Sequence, residues 1–250
     1  AEAFRQVIKE QTDLAVQNNL NALQGEDGWL FFVPELQNLL AGAFWGEAAA
    51  NVSRASGPAA DPMPAILKVK EDLDKLGIHL ILVPVPAKAV VFPDKISKSI
   101  TLEESQSPPR IDPSHAEFYK LLKEKGVDVL DLSDLYREKR QTDHGPVYCR
   151  QDTHWSGAGV VAAAEALAVK IEKMDWYASV DKKEYEAQWD PVEISGDLAR
   201  MLPADAEQPD PEKIDLRFIS RDGASPETDQ NSPVLLIGDS HTLVFHSGGD

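Results

Sequence analysis

Along residues 64–76, PAILKVKEDLDKL repeats its apolar positions at helical spacing; Gly77 then interrupts, and the largely apolar run IHLILVPVP follows over 78–86. The same order returns when HAEFYKLLKEKG closes on Gly126 and VDVLDL takes over at 127–132. Helix, glycine stop and continuous apolar run, in that order, predict parallel βαβ units whose inner strands are covered on both faces. PVLLIGDS, 233–240, predicts a further buried strand that delivers Gly238, Asp239 and Ser240 at its carboxyl end. GAGVVAAAEALAVKIEKM, 157–174, predicts an Ala-rich helix with Ser156 as its cap. The class that follows is α/β with a mainly parallel sheet.

The flanks are less regular. Residues 2–23 carry a looser helical pattern that ends at the Gly25–Gly28 turn, and WLFFV at 29–33 is strand-like. The small, polar, Pro/Gly-marked segment 46–62 predicts a surface loop. Residues 184–232 are expected to be irregular, with a solvated acidic loop at AEQPDPEKID and a short helix at SGDLARML. No internal repeat or low-complexity tract breaks the chain, so residues 1–250 are expected to form a single domain.

Composition narrows the function classes. Forty-two acidic residues against twenty-five basic ones give a formal charge of -17, which argues against nucleic acid or an anionic membrane as the main partner. The single cysteine, Cys149, rules out an internal disulfide and is expected to be a buried free thiol. No apolar run reaches the length of a membrane span, and the chain starts at Ala1, so a targeting segment is expected to have been removed.

The chemistry gathers in two places. In QDTHWSGAG, 151–159, His154 is the side chain suited to general-base work near neutrality, and Asp152 could hold its far nitrogen. In GDSHT, 238–242, Ser240 could act as a nucleophile, with backbone N–H groups at the strand end serving an oxyanion. Simpler alternatives stand beside each: Ser240 as a turn or helix cap, Asp152 as a cap with His154 packed under Trp155. A rival chemistry reads Asp152, His154, Asp239 and His241 as two Asp-x-His pairs around a metal, but leaves the serine without a role, so no metal is assigned. His241 and His246 line the site or face solvent, His79 is expected in the core or at a strand end, and His115 and His144 in loops or on the surface.

DTHWSGAG, GDLARML at 196–202 and LLIGDSHT, together with GEDGWLFFVPEL at 25–36 and LVPVPAKAVVFPDKI at 82–96, resemble the SGNH-hydrolase-like family of the alginate O-acetylation proteins AlgJ and AlgX. The resemblance runs from about residue 25 to the end. It implies a three-layer SGNH-hydrolase-like fold and a triad in which Asp152 orients, His154 is general base and acid, and Ser240 carries the acetyl group. Gly238, Asp239, His241, Trp155 and Gly196 become candidates for substrate binding or the oxyanion site. It also implies acetyl transfer to a secreted polysaccharide in the periplasm, without a cofactor. The acetyl donor would come from a membrane partner, alongside other exopolysaccharide-acetylation proteins and an inner-membrane tether outside this sequence. Family members continue with further helix and strand, so part of the sheet and one oxyanion donor are expected beyond Asp250. The strongly acidic chain opposes a polyanionic acceptor, which leaves a less charged polysaccharide open. An acetylesterase, and a non-catalytic carbohydrate-binding or scaffold protein on the same fold, remain the alternatives.

Overall fold

The computed structural model describes residues 1–103 and 106–245. The first stripe forms α1 (Glu2–Gln17), which buries Ile8, Thr12 and Ala15 on one face. The helix expected over 2–23 stops at Gln17 because the chain is needed for β1 (Ala22–Gln24), paired antiparallel with β2 (Leu30–Phe32). Asp27 and Gly28 turn the hairpin with φ of 54° and 77°, the left-handed region that glycine enters freely.

The chain packs as two compact units, Ala1–Glu138 and Lys139–Asp250. In the first, α2 (Val33–Leu40) follows β2 directly. The segment 46–62 is more ordered than a bare loop: 3-10 turns at Gly46–Ala48 and Gly57–Ala60 flank α3 (Ala49–Val52). Asp61 then accepts the Met63 N–H at 2.9 Å and starts α4 (Pro62–Lys75). Of the apolar run 78–86, only β3 (Ile81–Leu82) is strand, since Pro84 and Pro86 have no N–H for a ladder. α5 (Lys88–Val91), α6 (Pro113–Glu124) and β4 (Asp128–Val129) complete one βαβ crossover, with β3 and β4 parallel, before α7 (Ser133–Glu138). Met63, Phe118, Tyr119, Leu122, Val127 and Val129 form one core cluster there.

Of two histidines in this unit, one keeps its strand-end reading and the other departs from expectation. His79, exposed rather than in the core, stands just ahead of β3 and meets Asp128, the first residue of β4, at 3.0 Å. His115 is not a loop residue: it lies on α6 between Phe44 and Tyr119, and burial lowers its pKa.

The second unit opens with the small hairpin of β5 (Gln141–Thr142) and β6 (Gly145–Pro146), then α8 (Gly157–Ile171), capped by Ser156 Oγ accepting from Gly159 N. The region expected to be irregular holds the longest described strands, β7 (Glu186–Ile194) and β8 (Glu212–Ser220), paired antiparallel around α9 (Asp197–Arg200). Pro191 inside β7 and the long connection between the strands hide this ribbon from pattern reading. α8 rides against β8 so closely that a side chain at Gly157 would overlap the Asp215 carbonyl. His144, expected in a loop or at the surface, stacks on Trp189 at 3.8 Å and meets Asp215 at 3.1 Å.

One expected strand is corrected outright. Residues 233–239 pair with no strand among the described residues, and Leu235 and Ile237 are each 82% exposed. An apolar run becomes a buried strand only where a neighbour supplies ladder partners and cover, and neither is supplied here. Of the described two-strand sheets, β3–β4 is parallel and the other three are antiparallel. Helix α10 (Ser240–Leu243) follows the run. His246 lies outside the described residues.

Candidate active site

Tyr148 and Trp155 bridge antiparallel, Cys149 N–H donates to the His154 carbonyl at 3.2 Å, and Ser156 N–H donates to Val147 at 3.0 Å. These bonds close the base of a short loop whose interior residues include Asp152 and His154. Cys149, at its edge, is a buried thiol in no disulfide, and its Sγ–H donates to the Trp155 carbonyl at 3.5 Å. Asp152 Oδ1 accepts both the His154 backbone N–H at 3.0 Å and its ring Nδ1 at 2.6 Å. The aspartate two residues ahead of the histidine makes this possible: the i to i+2 backbone bond is an Asx turn, and it brings the ring of the same residue to the same oxygen. The capping and the orienting readings of Asp152 therefore coincide. With Nδ1 donating to the carboxylate, the lone pair of the neutral ring sits on Nε2.

The loop is pinned from two elements. Gln151 O accepts the N–H groups of Leu198 and Ala199 in α9, and Glu212 at the start of β8 accepts from Arg150 N at 2.8 Å and Gln151 N at 3.1 Å. Asp197 N–H donates to Asp152 Oδ2 at 2.8 Å, while its own carboxylate accepts Thr153 N–H at 2.7 Å and Thr153 Oγ1–H at 2.6 Å. Gly196, a candidate from the sequence, is where α9 meets the loop: any Cβ there would overlap Gln151 O. Thr153, Asp197 and Glu212 escaped the sequence analysis. The one available signal was Asp197 as an acidic first-turn residue in SGDLARML.

The second motif reaches the loop through His241. Its carbonyl accepts Trp155 Nε1–H at 2.9 Å, and its ring lies 4.7 Å from that of His154 and 5.6 Å from that of Trp155. Asp239, not Ser240, caps α10 by accepting His241 N–H at 3.0 Å, so that amide is committed rather than waiting for an oxyanion. A Cβ at Gly238 would overlap the Thr242 side chain, so glycine is required for the turn into α10. Ser240 is exposed at the first position of that helix, and among the described residues its Oγ makes no hydrogen bond to His154.

Burial works against charge on His154, yet the hydrogen bond to Asp152 and the negative charges of Asp152, Asp197 and Asp239 prevail and raise its pKa. Asp152 is raised by burial and lowered more strongly by bonds from His154 and from the Asp197 and His154 backbone; the outcome is a carboxylate held well below its usual range. His241 is lowered, by burial and then by the charge of His154. The arrangement is a histidine whose Nδ1 is held by Asp152 and whose Nε2 has no hydrogen-bond partner among the described residues, able to take a proton and to carry the charge it gains. The ligating atoms within 4.8 Å of one another are those of Asp152, His154 and Asp197 rather than the two Asp-x-His pairs. Each carboxylate oxygen there already accepts an N–H or O–H, and a cation would have to displace those bonds.

Residues 22–246 match the family described as SGNH hydrolase-like domain, acetyltransferase AlgX. The probable alginate O-acetylase AlgJ of Pseudomonas aeruginosa is 26% identical over 221 residues, covering 86% of this chain and 51% of that protein. Its counterpart in Pseudomonas putida is 25% identical over 189 residues, covering 71% of this chain and 47% of that one. The chain thus spans about half the length of the curated relatives it matches. Among solved structures, the O-acetyltransferase domain of Pseudomonas putida AlgJ superposes with a TM-score of 0.57 at 22% identity, over 80% of this chain and 66% of that one. Pseudomonas aeruginosa AlgX gives 0.58 at 16% identity, over 81% and 45%. Both share the fold.

Proposed function

This chain belongs to the family of SGNH hydrolase-like domains of the acetyltransferase AlgX, and we propose that it moves acetyl groups through Ser240, His154 and Asp152. The observation that carries the proposal is the 2.6 Å bond from His154 Nδ1 to Asp152, made next to the residue that follows Ser240. Ser240 Oγ attacks the acetyl carbonyl of the donor ester while His154 Nε2 takes its proton. The tetrahedral adduct collapses, and the departing donor oxygen receives that proton, leaving acetyl-Ser240. A sugar hydroxyl then gives its proton to Nε2, attacks the acetyl group, and releases Ser240, which regains the proton. Backbone N–H groups near Gly238 and Asp239 are assigned to the oxyanion, and His241 joins them if its amide leaves Asp239.

The acceptor is a polysaccharide, alginate by likeness to the relatives named for it, and a less charged polymer if the charge of -17 governs. The same likeness supports a periplasmic site of action and a membrane partner that delivers the acetyl donor; no helix among the described residues is long and apolar enough to cross a membrane. Hydrolysis competes, because Ser240 is exposed and water can reach an acetyl group on it. The test is incubation with a chromogenic acetyl ester. A burst of product, and an acetyl group on the peptide containing Ser240, support the proposal; no turnover leaves the non-catalytic carbohydrate-binding scaffold as the better account.

A further inference from the structure

We infer that Asp197 is a positioning residue for His154, acting through Thr153 and through its own backbone N–H; this rests on the general-base role proposed above. Residue 197 grips both neighbours of the histidine's orienting turn. Its N–H holds Asp152 Oδ2 at 2.8 Å, and its carboxylate takes Thr153 N–H and Oγ1–H at 2.7 Å and 2.6 Å. Thr153 Oγ1 is in turn 3.3 Å from His154 Nδ1.

A threonine hydroxyl has one proton to give. Once that proton is donated to Asp197, the oxygen presents only lone pairs to His154, and a lone pair beside Nδ1 favours a proton on Nδ1. Thr153 therefore repeats the instruction that Asp152 gives: keep Nδ1 protonated and Nε2 bare. The Asp197 carboxylate sets the direction of this relay because, ionised, it can only accept. An asparagine at 197 could donate its amide N–H to Thr153, turn the hydroxyl proton toward Nδ1, and remove one of the negative charges that favour imidazolium. The groups facing the His154 ring are Asp152, Asp197 and Asp239 on the acidic side and His241 on the other.

The experiment is nitrogen NMR of the His154 ring across pH in the wild type, Asp197→Asn, Thr153→Val and Thr153→Ser, with turnover of a chromogenic acetyl ester measured in parallel. The wild type should show the Nδ1–H tautomer and a pKa above 6.5. Asp197→Asn should lower that pKa, mix the tautomers, and reduce kcat at least about tenfold with little change in KM, within the roughly 10²-fold that a small misplacement of a reacting group costs. Thr153→Val should mix the tautomers without removing a charge, and Thr153→Ser should restore the wild-type ring. A His154 tautomer and pKa unchanged in folded Asp197→Asn protein overturn the inference. If the ring responds but no variant, wild type included, cleaves the ester, the positioning stands and the general-base role falls.

Discussion

The His154 and His241 rings stand 4.7 Å apart at 61°, edge toward face, so the residue after Ser240 touches the ring that Asp152 orients. Two motifs separated by more than eighty positions in sequence are thereby tied, and Trp155 Nε1 adds a second tie to the His241 carbonyl at 2.9 Å. Loss of the Ser240 oxygen should leave these ties intact. Ser240→Ala is expected to keep the wild-type melting temperature within a degree or so, consistent with the small effects typical of exposed substitutions, while abolishing the burst from an acetyl ester. An undiminished burst would remove Ser240 from the chemistry.

Asp152→Asn keeps the shape of the side chain but loses a pure acceptor, so the amide can donate and drive the ring to the other tautomer. Turnover should fall by up to about 10⁴, the magnitude that change costs in the serine-protease template. Steady-state kinetics read it, and a loss under threefold would reduce Asp152 to a loop cap.

The pH dependence follows from opposite shifts. As the proposed general base, His154 would act only when neutral, and its pKa is raised, so kcat/KM should rise with pH along a limb centred above the ordinary 6.5. For stability, a raised histidine contributes fully below pH 6.5 and loses that contribution as pH climbs through the folded value. Asp152, lowered from 3.8 to about 2, contributes above 3.8 and loses it as pH falls toward the folded value. Both contributions coexist between pH 3.8 and 6.5. Thermal melts across pH should show Asp152→Asn losing the most, relative to wild type, inside that window.

Gly196→Ala tests the junction of α9 with the loop. The new Cβ must push the Gln151 backbone away, and Asp152 is the next residue. A loss of about 1–3 kcal/mol in chemical unfolding is expected, the usual range for overpacking, together with a fall in turnover. Neutral behaviour in both would show that the loop has room to retreat.

In the proposed mechanism, transfer and hydrolysis share the acetyl-Ser240 intermediate and differ in what attacks it. With a small ester alone, slow release of acetate is expected. Added oligosaccharide should gain acetyl groups at the expense of free acetate, because an oriented hydroxyl outcompetes water. Product analysis by mass spectrometry decides, and acetate alone with both uronic-acid and neutral acceptors would favour an esterase.

Local order along the chain was enough to determine much of this protein. Helical spacing and a serine cap specify α8, the 64–76 stripe specifies α4, and Asp-x-His contains in its spacing the turn that joins Asp152 to His154. Each of these depends on residues a few positions apart, so the sequence carries the whole cause. Long-range partners decided the rest. Whether the apolar run 233–239 becomes a buried strand depends on a neighbour to pair with it, and the β7–β8 ribbon exists because two weakly patterned segments supply each other's hydrogen bonds. Asp197 and Glu212 are ordinary acidic residues in sequence; only the tertiary structure brings them to the N–H groups of Arg150, Gln151 and Thr153 that they accept. A backbone donor must be satisfied by whatever the fold brings near it, and no local pattern names that partner.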